Sequence, residues 1–66
     1  MPITVEQYNE ILNSNFAEGQ YLAAVAYGRG EKDVPQDMEK AQKLMRRSAE
    51  LGYQPAKDFL KRVGEY

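Results

Sequence analysis

Sixty-six residues, with no cysteine and no histidine, exclude disulfide frameworks, Cys/His zinc sites, thiol nucleophiles and a histidine general base. No metal or cofactor is expected. A chain this short buries only about 60% of the surface its unfolded form exposes, so self-association or a partner chain is the remaining support for its core.

The first helix is signalled by "TVEQ", in which Thr4 caps and Gln7 stands at the capping-box spacing. Val5, Tyr8, Ile11 and Leu12 recur at helical intervals and define an apolar face. Asn13-Ser14-Asn15 closes the helix, because Asn tolerates the left-handed conformation that helix ends often need. A second helix is predicted from Ala17 to Gly28, with Gly19, Ala23, Ala24 and Ala26 small enough for a neighbour to approach closely. Gly28, Gly30 and Pro35 break the chain into a turn over 28–36.

Asp37 caps the third helix, which places Glu39 in its first turn and Arg46 and Arg47 deeper in. Ala41, Leu44, Met45, Ser48 and Ala49 make its buried stripe. Gly52 suits the left-handed end of that helix and Pro55 the first turn of the next. The fourth helix, over 55–64, turns Ala56, Phe59, Leu60 and Val63 inward. The reading is all-α: short antiparallel helix pairs, about four helices and no strand.

The turn "GRGEKD" raises the question of phosphate binding. It follows a helix, lacks a third glycine and a hydroxyl residue, and carries Glu31 and Asp33, which repel phosphate. Asp37 and Glu39 also occupy the next helix's N-terminus, where an anion would sit. The glycines are read as supplying positive φ at a helix end.

Displacing the sequence by 37 residues lays 5–14 on 42–51, Phe16 on Tyr53, Gly19 on Ala56, Ala23 on Leu60 and Ala26 on Val63. Such a period marks paired-helix solenoids. Tyr27, Gly30, Val34, Asp37, Lys40, Ala41, Ala49, Gly52 and Ala56 stand in an order that resembles the Sel1-like repeats, relatives of the tetratricopeptide repeats. The resemblance covers the stretch from "AEGQYLAAVAYGRG" through "VPQDMEKAQKLMRRSAELGYQPAKDFL". Ala23-Ala24 replace the family's Leu-Gly, Leu44 and Met45 stand where aromatics are usual, Ser48 replaces an alanine, and "GEKDV" is one residue long for the turn. These departures imply a divergent, free-standing unit. The resemblance implies a minimal α-solenoid: a half-repeat helix over 3–15, a full repeat over 17–52 and a half-repeat helix over 53–66.

Residues 1–39 carry two basic and seven acidic side chains, residues 40–66 seven basic and three acidic. Glu6 and Glu10 share a helix face, but it is the polar one, so no catalytic pair and no catalytic residue is assigned. Lys40, Lys43 and Arg47 fall on one face of the third helix with Arg46 beside them; Lys57, Lys61 and Arg62 lie on the fourth. Salt bridges such as Glu39–Lys43 would neutralise part of this charge. The family resemblance implies a non-enzymatic protein–protein interaction module, an adaptor or inhibitor that occupies a partner's surface. Lys43, Arg46, Arg47, Lys57, Lys61 and Arg62 are its expected electrostatic contacts, and Tyr21, Tyr27 and Tyr53 its anchors. The alternative is a homo-oligomer joining acidic and basic halves. Overall acidity and the lack of aromatics between the basic residues argue against nucleic acid. No apolar run approaches a membrane span and "MPITVEQYNE" is not a signal peptide, so the expected location is the cytoplasm.

Overall fold

Thr4 begins the architecture with a reciprocal cap: its hydroxyl accepts from the Gln7 amide at 3.1 Å, and its own amide donates to Gln7 Oε1 at 3.0 Å. In the computed structural model, which describes residues 4–31 and 34–64, this cap opens α1 (Val5–Asn13). It is followed by α2 (Ala17–Arg29), α3 (Met38–Glu50) and α4 (Gln54–Arg62). No strand occurs among the described residues.

The end of α1 differs from the sequence reading. Ser14 is extended, and positive φ among the described residues is confined to Gly30, Gly52 and Gly64. No left-handed Asn is needed, because side chains reach the last carbonyls: Ser14 Oγ donates to Ile11 O at 2.8 Å, and Gln20 Nε2 to Ile11, Leu12 and Ser14 O at 3.0, 3.2 and 2.8 Å. Val5 is also corrected. It lies 68% exposed at the first position of α1, and Tyr8 alone of that face is fully buried.

Helix α2 runs one residue past the predicted end, so Gly28 is a helical residue and Gly30 is the left-handed cap at φ 68°. The Gly28 position has a packing reason instead: a Cβ there would sit 3.9 Å from Ala41 Cβ, where α2 and α3 approach closely. The turn then satisfies the open carbonyls of α2, since Asp37 N donates to Tyr27 O and Gln36 Nε2 to Gly28 O, both at 3.0 Å. Val34 is buried beneath it. Lys32 and Asp33, which carry the extra residue of the turn and part of the argument against phosphate, lie outside the described residues, as do 1–3 and 65–66.

Asp37 Oδ1 accepts from Lys40 N at 3.1 Å and starts α3. The expected stripe, Ala41, Leu44, Met45, Ser48 and Ala49, is buried. Gly52, at φ 94°, ends the helix by donating to Ala49 O at 2.9 Å while Tyr53 N donates to Ser48 O at 3.1 Å. Pro55 falls in the first turn of α4, whose Ala56 and Leu60 are buried. Val63 does not turn inward; it is the C-cap and stays 53% exposed.

Contacts fix the directions. Gly28 near the end of α2 meets Ala41 near the start of α3, while Ser48 Oγ near the end of α3 donates to Ala17 O at the start of α2, at 2.7 Å. The two helices are therefore antiparallel. Helix α3 is central, with α2 on one side and α4 on the other. Burial of Leu44 and Leu60, both nearly inaccessible, contributes about 1.5–3 kcal/mol each. Helix α1 closes the far side of α2 through Tyr8, whose ring meets that of Tyr27 edge-on at 5.7 Å.

Candidate protein-binding groove

Tyr53 at the start of α4 meets Tyr21 near the start of α2, and the last residues of both helices line one groove. Helices α2 and α4 therefore run parallel to each other, antiparallel to α3, and form two walls over it. Between them lies an open groove of about 430 Å³. Ala41 and Met45 of α3 and Leu60 of α4 form its floor. Tyr21 and Val25 on α2 face Phe59 and Val63 on α4, and Met38 stands at one end. Met38 and Val63 are large apolar side chains left more than half exposed.

The groove is chemically different at its two ends. At the N-terminal ends of its walls, the rings of Tyr21 and Tyr53 lie 5.4 Å apart. At the C-terminal ends, Arg29 closes α2 and Arg62 closes α4. The Arg62 guanidinium rests 5.8 Å from the centroid of the Phe59 ring, which holds it over the apolar wall. Among the described residues no acidic side chain lines the groove. Its surface offers apolar area, aromatic edges and two cations, a combination suited to recognition and without an acid–base pair.

The sequence-predicted contact residues divide between places. Tyr21 and Arg62 line the groove and Tyr53 borders it through Tyr21. Lys43 and Arg46 on α3, and Lys61 on α4, are exposed; Arg47 and Lys57 are half-buried, and none of these five lines the groove. Of the six basic residues, Arg62 alone lines the groove. Arg47 pairs with Glu50 at 3.7 Å, one helical turn on, in place of the expected Glu39–Lys43 pair. Glu6 and Glu10 are exposed, as expected.

Tyr27 is corrected outright: it is 3% exposed and cannot anchor a partner. Its ring packs against Tyr8, and the Lys40 ammonium sits 5.1 Å from the Tyr8 centroid and 5.6 Å from that of Tyr27. Burial raises the pKa of both phenols above the ordinary tyrosine value. Tyr27 and the carboxylates of Asp37 and Glu39 add to the rise at Tyr8, and Asp37 adds to it at Tyr27. Lys40 is therefore committed to the α1–α2–α3 junction and is not part of an outward cationic face.

Sequence reasoning missed Val25, Arg29, Met38 and the open flank of Phe59 as site residues. The usable signal was in α2, where Tyr21, Leu22 and Val25 lie off the buried stripe of Gln20, Ala23, Ala24 and Tyr27. A helix apolar beyond one stripe has a second surface to cover.

Among the described residues no three carboxylates come together as a metal site, and no helix is long and apolar enough to cross a membrane. Comparison with curated proteins and with solved structures gives no match. The Sel1 repeat family model matches residues 17–53, which span α2, the turn, α3 and the Tyr53 cap of α4, more than half of the chain. The chain belongs to the Sel1 repeat family, whose helical repeats mediate protein–protein interaction.

Proposed function

We propose that this chain is a non-enzymatic interaction module, an adaptor or inhibitor that binds one partner protein and occupies its surface through the groove between α2 and α4. The observation that carries this is the groove itself: about 430 Å³ of open, mainly apolar space with Met38 and Val63 exposed within it. Isolated exposed apolar residues are ordinary, but apolar side chains converging in one concavity mark an interaction site. Tyr21, Tyr53 and Phe59 supply rigid aromatic area of the kind that dominates interface energetics. The outward Lys43, Arg46, Arg47, Lys57 and Lys61 then act on association rate and salt dependence more than on affinity.

The test is capture of partner proteins by the tagged chain, by Val25→Glu together with Val63→Asp, and by Lys43→Glu. Loss with the first variant and retention with the second supports the groove. Equal capture by all three, with unchanged helicity, refutes it.

A head-to-tail homo-oligomer has one specific observation in its favour. Glu6 and Glu10 are exposed four residues apart on α1, and Lys57 and Lys61 have the same spacing on α4. Exposed pairs of this kind contribute only about 0–1 kcal/mol each, so this reading requires a mass that rises with concentration and falls with salt. Nucleic-acid binding would show as a salt-dependent DNA or RNA titration, and a flat low-salt titration removes it.

A further inference from the structure

Two arginines terminate parallel helices at the same end of the groove, and the surface between them and the tyrosine end is apolar. Neither Arg29 nor Arg62 has an ion-pair partner among the described residues. We infer that the groove reads direction and charge in its ligand: it takes a protein segment with apolar side chains towards Tyr21 and Tyr53 and carboxylates at the end flanked by Arg29 and Arg62. This rests on the groove being the interaction site and adds the chemistry of what enters it.

The charge complementarity is one-sided. Among the described residues both charged side chains of the lining are guanidinium groups, so a basic segment meets two repulsions there and an acidic one two attractions. Arginine suits this role because its planar donor fork matches a carboxylate in a bidentate arrangement. Each arginine also offsets the negative end of its own helix dipole. That local role explains either residue alone, but not their convergence on one end of an apolar slot.

The geometry also limits the length of the segment. Tyr21 to Arg29 is eight residues of α-helix, or about 12 Å at ~1.5 Å per residue. The apolar anchor and the carboxylate of the ligand are therefore separated by about two helical turns, or about four residues of extended chain at ~3.3 Å each. The chain's own acidic helix α1 does not supply this pattern: its exposed face carries Glu6, Asn9 and Glu10, with Val5 as the single exposed apolar side chain. The occupant assigned is accordingly a segment of another protein rather than α1 of a second copy.

The experiment uses the whole chain and fluorescein-labelled twelve-residue helical peptides. Each bears leucines on one face and, in its last turn, two Glu, two Gln or two Lys. A fourth peptide has the Glu pair moved to the first turn. Binding is followed by anisotropy at low and high salt, for the natural chain, for Arg29→Glu with Arg62→Glu, and for Val25→Glu.

The Glu peptide should bind about tenfold more tightly than the Lys peptide, a ratio that shrinks with salt, as expected for two partly exposed charge contacts. The double arginine variant should reverse that order, and such a gain for the Lys peptide cannot come from misfolding. Moving the Glu pair to the first turn should weaken binding. Equal affinity for Glu, Gln and Lys peptides, all abolished by Val25→Glu, overturns the charge-and-direction inference and leaves the groove as an interaction site. No binding of any peptide overturns both. Displacement of the Glu peptide by lauric acid at lower concentration than by unlabelled peptide overturns a protein segment as the occupant.

Discussion

Replacing Gln20 should release α1 from the rest of the molecule, although Gln20 lies in α2 and makes no apolar contribution of note. Its side chain is fully buried, and its amide nitrogen lies 2.8–3.2 Å from the carbonyls of Ile11, Leu12 and Ser14. Three carbonyls accept from two N–H groups, so one hydrogen is shared. The acceptors also fix the orientation of the amide, since a carbonyl oxygen turned towards them would be repelled. Gln20→Met keeps the length and volume of the side chain and removes both donors. Leaving buried acceptors unmet costs about 1–3 kcal/mol each. Ile11 O keeps its bonds from the Ser14 hydroxyl and amide, Ser14 is half-buried, and the substitution also removes the unpartnered Oε1, so the net loss is about 1–2 kcal/mol. A 66-residue chain at ~0.05–0.15 kcal/mol per residue has about 3–10 kcal/mol in total. Gln20→Met is therefore expected to lower Tm by roughly 5–15 °C, measured by circular dichroism. Amide exchange should quicken first in α1.

A second substitution at the same site separates the polar effect from packing. In Gln20→Glu a carboxylate faces three carbonyl oxygens, which disfavours the ionised form and raises its folded-state pKa above the unfolded value of about 4.3. The native state then binds more protons than the unfolded state, so stability falls with rising pH. Relative to the natural chain, Gln20→Glu should be least destabilised below about pH 4 and progressively worse as pH rises to the folded-state pKa. A pH-independent difference, or a Gln20→Met variant within about 0.5 kcal/mol of the natural chain, would refute the claim that this amide ties α1 down.

Gly28→Ala should stabilise by about 0.5–1 kcal/mol, because the position is helical and the new methyl group meets Ala41 at an ordinary 3.9 Å. Gly30→Ala should destabilise by about 2 kcal/mol or more, since φ is +68° and the methyl group would lie 2.8 Å from Gln36 Cβ and 3.3 Å from its backbone nitrogen; urea midpoints check both. Ser48→Ala should cost about 1–2 kcal/mol by denaturant unfolding, because it orphans Ala17 O across the α2–α3 interface. Tyr27→Phe should be neutral or stabilising by up to about 1 kcal/mol, since the buried hydroxyl it removes has no partner. The raised pKa values of Tyr8 and Tyr27 mean that their neutral forms contribute stability present below about pH 10 and lost as pH rises through the folded-state values. An alkaline titration followed in the tyrosinate absorbance band should show unfolding coupled to the last phenols to ionise.

What the sequence made legible is what acts over a few residues. Thr4 with Gln7, Asp37 with the Lys40 amide, Gly52 and Pro55 all do their work within one turn of chain, and all stand as read. The buried stripe of α3 was legible for a related reason, since its buried residues recur at helical spacing on one face and the rest of the helix beyond Met38 is polar. Gln20 was not legible. A polar residue inside a helix looks like a surface residue until α1 is folded back and its carbonyls, eight and nine residues earlier in sequence, surround the amide. The groove was illegible in the same sense. Arg29 and Arg62 are far apart in the chain and come to one end only because two antiparallel pairings make α2 and α4 parallel. Val5 and Val63 were misread because periodicity assigns an apolar residue to a face but does not say whether a neighbour reaches the end of that face.

The 37-residue register explains why the site lies where it does. Ala23 and Leu60 correspond, and both are buried against α3. Gln20 and Ala24, buried between α2 and its neighbours, correspond to Lys57 and Lys61, which reach solvent on α4. Helix α4 therefore packs through a single stripe, Ala56 and Leu60, where α2 is gripped on two sides. The apolar residues beyond that stripe also recur in register: Leu22 corresponds to Phe59 and Ala26 to Val63. Ala26 and Phe59 pack partly against the core, but Leu22 and Val63 stay exposed, so in each helix one apolar residue of this row lies outside the core. Folding alone gives no reason to retain such residues, because exposed apolar surface lowers solubility and adds little to stability. On α4 this row, Phe59 and Val63, lines the groove, whereas on α2 the groove is lined by Tyr21 and Val25 instead of Leu22 and Ala26. With an arginine at the end of each wall, that apolar surface is the one the proposed interaction would cover.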